Sequence, residues 1–138
     1  MPLDDLPLID EHSVEIDAPP DAVFDAVRNR FADTLSGRIG MAFSRLWGCD
    51  PPNAFEVVEA DRPLLIVVAG KHRFSRYGIV FRVAATPSGS RLSAESRAEF
   101  PGVAGRAYRV AVIGTRGHVV ATQALLRNIA KSAQVAGP

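Results

Sequence analysis

The residues of this chain able to do chemistry are a set of hydroxyls, two of them tyrosines, with three histidines and one cysteine. Ser75, Tyr77 and Ser96 fall in the inward phase of strand-like runs, and Tyr108, Thr115 and Thr122 on one helical stripe, so all six could face an apolar interior. Hydroxyls in such surroundings orient a carbonyl, hydroxyl or ring of an apolar molecule. The plain alternative for Tyr77 and Tyr108 taken singly is a core tyrosine whose hydroxyl reaches water or backbone. His12, His72 and His118 lie far apart, none with a second ligand at metal spacing, so no metal and no cofactor is expected. His72 belongs to a basic turn, KHR, and reads as solvated, while His118 flanks a helical stripe and is a candidate proton donor beside which edge packing is the simpler account. Cys49 lies in GCDPPN with no histidine adjacent and reads as a structural thiol, with Trp47 packing at a rim or in the core. The glycine pairs in GRIG and GTRG lack the strand-to-helix context of a phosphate loop, so no nucleotide site is expected.

These side chains need elements to hold them, and the clearest lie at the start. In HSVEIDA, Val14 and Ile16 alternate with Ser13, Glu15 and Asp17, the period of a half-buried strand. Pro19 and Pro20 end the strand ladder, and Pro20 is pre-set for the first turn of a helix through Ala22, Val23, Ala26 and Val27. The spacing from Phe31 to Trp47 predicts a second, broken helix, stopped by GCDPPN. Then come four β-rich runs, 55–60, 64–70, 73–85 and 90–100, joined by turns short enough for an antiparallel meander. Residues 103–133 hold no proline and carry Tyr108, Val112, Thr115, Val119, Thr122, Leu126 and Ile129 on one stripe, predicting a long amphipathic helix with a basic far side. Gly114 and Gly117 weaken its middle, and a short strand over Tyr108–Ile113 competes with helix there. The predicted class is α+β: a curved antiparallel sheet covered by the C-terminal helix, with one or two short helices after the first strand.

Alternation assigns faces. In 90–100, Leu92, Ala94, Ser96, Ala98 and Phe100 share the inner face and Arg91, Glu95, Arg97 and Glu99 the outer. In 73–85, Tyr77, Ile79, Phe81 and Val83 turn inward while Arg76 and Arg82 turn out, where Glu95 and Glu99 balance them. No carboxylate is expected on the inner face, which argues against a paired-acid mechanism.

The segment VEIDAPPDAVFDAV resembles the first strand and helix of the START-like (SRPBCC) superfamily, which includes polyketide cyclases and Bet v 1-like proteins. FPGVAGRAYRVAVIGTRGHVVATQALLRNIAKSA resembles its C-terminal helix, and AGKHRFSRYGIVFRV is similar to an actinobacterial-type branch. The resemblance implies a helix-grip fold with a hydrophobic cavity between sheet and helix. It implies no reaction, because the shared motif is a packing pattern. On that fold Ser75, Tyr77, Ile79, Phe81, Ser96, Tyr108, Val112, Thr115, Val119 and Trp47 are the candidates for lining the cavity.

Composition limits the rest. At 138 residues and 47% hydrophobic, the chain supports one core and reads as a single domain over 1–138, with 1–10 a loose lead-in. A net charge of +1 gives no field that would draw nucleic acid or an anionic membrane. The N-terminus has neither the basic start nor the apolar run of a signal peptide, no segment suits a membrane span, and a lone cysteine gives no sign of an oxidising compartment, so the cytoplasm is expected. The leading reading is binding or carriage of a hydrophobic small molecule, lipid-like or polyketide-like, without catalysis. A cyclase or aromatase that folds a poly-carbonyl chain and relays protons through Tyr77, Tyr108 or His118 is the runner-up. A regulatory module that meets a partner through its sheet face or pairs as a homodimer is the third.

Overall fold

A computed structural model describes residues 6–32, 56–72, 75–100, 102–110 and 116–136. Strand β1 (Leu8–Ile16) leads into helix α1 (Pro20–Ala32); β2 (Glu56–Asp61), β3 (Leu65–His72), β4 (Ser75–Thr86) and β5 (Gly89–Glu99) follow, then helices α2 (Gly102–Arg109) and α3 (Gly117–Ala136). The strands form one antiparallel sheet in the order β1-β5-β4-β3-β2. The first strand thus closes one edge against β5, and the chain crosses by way of α1 to begin the meander at the other.

Each element has a local cause. The Pro19 carbonyl accepts from the amides of Ala22 and Val23, so α1 is nucleated where Pro20 already has a helical φ and Asp21 meets the positive end of the helix. The β2–β3 turn is closed by the Leu64 amide on the Asp61 carbonyl at 2.7 Å. The β4–β5 hairpin turns through Pro87 and Ser88, with Thr86 opposite Gly89. A Cβ on Gly89 would lie 2.3 Å from the Ile16 carbonyl oxygen, so only glycine lets β5 start this close to the end of β1.

The core lies where the sheet's inner face meets α1 and α3. Ile16, Val23, Phe24, Val27, Phe31, Ile66, Val68, Ile79, Phe81, Val83, Leu92, Ala94, Leu126, Ile129 and Ala133 form one continuous buried cluster. Phe31 and Phe81 pack with ring centroids 5.4 Å apart. At the end of β1, the Asp17 amide donates to Gln134 Oε1 at 3.2 Å, which anchors the C-terminal turn of α3 there.

The structure amends several expectations. The first strand starts at Leu8 and Leu6 is buried, so the last residues of the expected lead-in are sheet. Backbone pairing to β5 extends the strand past the point where side-chain alternation weakens, because a bulge between Leu8 and Asp10 breaks the period. Phe31 is part of α1 and of the core rather than the start of a second helix. The C-terminal segment is two helices, and the backbone at Tyr108 is helical. The broken helix expected before residue 48, and residues 111–113 of the helix-or-strand question, lie outside the described residues.

Candidate functional site

Cross-strand register makes the inner face a lattice of rows. Ala98 lies opposite Tyr77, which lies opposite Gly70. The next row runs Asp10, Ser96, Ile79, Val68, and the one after it His12, Ala94, Phe81, Ile66. Directly paired residues of antiparallel strands share a face, with Cβ atoms about 5 Å apart. On this lattice the expected inward set of β4 and β5 holds: Ile79, Phe81, Val83, Leu92, Ala94, Ser96 and Ala98 are all buried.

The same lattice contains a pair that the sequence reading, which began the strand at His12, did not single out. Asp10 and His12 stand on the inner face, opposite Ser96 and Ala94, against the expectation that no carboxylate would point that way. His12 Nε2 lies 3.1 Å from Asp10 Oδ2, and the two side chains are only 23% and 24% exposed. The expectation failed because the strand was taken to begin at His12. The bulge between Leu8 and Asp10 turns only the residues before it: Leu8 pairs with Arg97 and is exposed, while Asp10 keeps the phase of His12, Val14 and Ile16 and falls opposite Ser96.

Ser96 is the sharpest feature of the row. It is 3% exposed, and its Oγ has no hydrogen-bond partner; among the described residues the other such buried side-chain atom is Thr86 Oγ1. Ser90, on the same strand and face, shows the ordinary arrangement: fully buried, its Oγ donates to the Ala18 carbonyl at 2.7 Å. A buried hydroxyl left without a partner costs free energy, so its presence calls for a reason.

The apolar cluster ends at Ile79 and Val68; Ser96 beside Ile79, and Tyr77 and Ala98 in the adjoining row, lie outside it. On α3 the predicted stripe is present, with Val119 half-buried and Thr122, Leu126, Ile129 and Ala133 buried. α3 packs on β1 and on α1, and its C-terminal turn is fixed at Asp17. Tyr77 is half-buried in the inward phase of β4. The backbones of Ser75 and Tyr108 are in β4 and α2, and Trp47, Val112 and Thr115 lie outside the described residues.

Charge is sorted to the outer face as expected. Arg91 Nε donates to Glu15 Oε1 at 2.6 Å, Arg76 pairs with Glu99 at 3.3 Å, and Glu95 is shared by Arg97 at 3.2 Å and Arg82 at 3.8 Å. Arg62 of the β2–β3 turn reaches α1, where its guanidinium grips Asp25 at 2.5 Å and lies over the Phe24 ring. That hydrogen bond holds the Asp25 carboxyl below its ordinary range. Among the described residues, no three of His, Cys, Asp or Glu are grouped to hold a metal, and no helix is long and apolar enough to cross a membrane.

No protein-family model matches this chain, and no curated protein does. Solved structures do. The crystal structure of protein CV1439 from Chromobacterium violaceum matches with a TM-score of 0.60 at 12% identity, over 93% of this chain and 99% of that one. Protein MLL2253 from Mesorhizobium loti matches at 0.50 and 14% identity, over 91% and 93%. The solution structure of the Polyketide_cyc-like protein Cgl2372 from Corynebacterium glutamicum matches at 0.52 and 11% identity, over 94% and 91%. At such identities the likeness is one of fold alone, in the arrangement of one antiparallel sheet and its helices.

Proposed function

We propose that this chain, folded as the polyketide cyclase-like proteins are, binds or carries a hydrophobic small molecule between the inner face of its sheet and α3. The supporting observation is the way the inner face divides. One half is sealed by the apolar cluster with α1, while the other carries Tyr77, Ser96 and Asp10 beyond that cluster, with His12 at the end of a row that belongs to it, and includes a buried hydroxyl with nothing to bond. Apolar walls with a few placed polar groups are what a small-molecule site needs. Ile79, Phe81 and Val119 supply apolar wall, and Tyr77 and Ser96 supply hydroxyls. Ser75, Tyr108, Val112, Thr115 and Trp47 complete the proposed lining.

Native mass spectrometry of the purified chain, followed by solvent extraction and analysis of what is released, tests this. The expected result is a bound apolar molecule, or stoichiometric uptake of an added one, lost on denaturation. A chain that carries nothing and takes up no apolar probe overturns it. A second reading, a proton-relay enzyme of the cyclase type, draws on the Asp10–His12 pair, since a carboxylate that orients an imidazole is the arrangement general acid–base catalysis uses. Turnover of a poly-carbonyl substrate, abolished by His12→Gln, separates it from simple carriage.

A further inference from the structure

We infer that helix α2 is a docking surface for an anionic phospholipid bilayer, its valines entering the headgroup layer and its arginines meeting the lipid phosphates. No residue of the inner sheet face enters this, so it stands apart from the container reading. The net charge of +1 conceals a division: residues 100–138 hold five basic side chains and no acidic one, a balance of +5 against −4 for the rest of the chain. A surface meets the local field and not the sum over the chain. Among the described residues the ion pairs reach no further along the chain than Glu99, and none engages Arg106, Arg109, Arg116, Arg127 or Lys131.

α2 is amphipathic, but turned the opposite way from a helix that packs on a core. An ordinary surface helix buries its apolar stripe. Of the α2 residues whose burial is described, Gly105 alone is buried. Val103, Ala107 and Val110, the last just past the end of the helix, lie together about 140–160° round the axis from that glycine. All three are exposed, Val103 by 83% and Val110 by 68%. The apolar stripe therefore faces away from the body of the protein. Arg106 and Arg109 lie along one flank of it, both exposed, and the Arg109 guanidinium rests over the Phe100 ring at 5.6 Å. On α3 the burial of Leu126, Ile129 and Ala133 leaves the opposite side to Val120, Arg127 and Lys131, so the outward face there is basic as well.

An anionic bilayer answers both properties at once. The stripe leaves water for the acyl boundary, while the arginine stems lie along it and carry their guanidinium groups to the level of the phosphates. A guanidinium donates two parallel N–H bonds to a phosphate, a geometry suited to a headgroup. A second copy docking α2 against α2 would set arginine against arginine, so charge opposes that pairing. At eight residues α2 is about two turns long and lies in the interface without spanning it, so the contact is weak and reversible.

The test is flotation of the full chain with vesicles of phosphatidylcholine alone or of phosphatidylcholine with about 30% phosphatidylglycerol. The expected result is binding to the anionic vesicles, about tenfold or more weaker on the neutral ones, and reversed by about 0.5 M salt. Arg106→Gln with Arg109→Gln should weaken it about fivefold per residue. Val103→Ser with Val110→Ser leaves every charge in place and should weaken it about tenfold, a loss that adsorption by charge alone would not show. Both valines are exposed, so the circular dichroism and Tm of that variant should match the wild type. Should the serine pair lose the fold, Val103→Ser alone decides, with a loss of about threefold. Equal binding to the two kinds of vesicle, or binding to neither, overturns the proposal. So does a serine variant that floats like the wild type. A wild-type dimer in size-exclusion chromatography that the serine variant dissolves also overturns it, making the stripe a contact between copies. None of these outcomes bears on the container reading, which is decided by the extracted ligand.

Discussion

Replacing the two inward serines of β5 by alanine should move stability in opposite directions. Ser96→Ala removes a hydroxyl that is 3% exposed and bonded to nothing. Burial of such a group costs about 1–3 kcal/mol, and the space vacated by one oxygen gives back at most a few tenths of that. A net gain of about 1 kcal/mol is expected, or a Tm increase of about 3–5 °C for a chain of this size. Ser90→Ala makes the same chemical change on the same strand and face, but there the hydroxyl donates to the Ala18 carbonyl at 2.7 Å. Its loss strands a buried acceptor and should cost about 1–3 kcal/mol. Urea and thermal unfolding of the ligand-free protein, followed by circular dichroism with the slope m checked for constancy, measures both. Two variants that lose stability alike would show that Ser96 is bonded after all, and the argument from its idle hydroxyl would collapse.

Gly89→Ala drives a methyl into the Ile16 carbonyl oxygen, a backbone atom that cannot step aside, and should destabilise by about 3 kcal/mol in a urea titration. Ile129→Ala, at the centre of the α3 stripe and 1% exposed, should cost about 2–5 kcal/mol by the same measurement. The Arg62–Asp25 contact lowers the carboxyl's folded-state pKa, so its contribution is fully present above the ordinary value near 3.8 and disappears as pH falls through the lowered one. Asp25→Asn should therefore lower Tm slightly at pH 7, the pair being exposed, and match the wild type once the pH is well below 3.8; an undiminished difference in acid would refute the linkage.

Side-chain period made the sheet legible because each strand buries one face and not the other. Leu92, Ala94, Ser96 and Ala98 announced their direction, as did Tyr77 through Val83, and the outward arginines announced their glutamates. The Pro19–Pro20 step disclosed α1 because proline has few backbone alternatives. Asp10 stayed hidden for an equally physical reason: it keeps the phase of His12, Val14 and Ile16, but LPLID carries no strand pattern of its own until β5 supplies the partner. The lack of a partner at Ser96 was illegible in principle, since the word serine is the same whether or not a carbonyl stands opposite. Across 103–133 the stripe predicted one long helix weakened at Gly114 and Gly117, and the described residues hold two helices, Gly102–Arg109 and Gly117–Ala136.

The strand order also dictates a schedule. Among the described strands β1 is made first, and its partner there is β5, so Leu8 must wait until Arg97 has been synthesised before the two can pair. Until then the meander β2 to β5 can zip through local hairpins, whereas closing β1 onto it bridges most of the chain, the slow kind of contact in folding. The wall bearing Asp10 and His12 is thus translated early and installed late. In a nascent chain the apolar sheet face gains its polar edge only near the end, and the interval before that is when a protein of this topology is most exposed to aggregation.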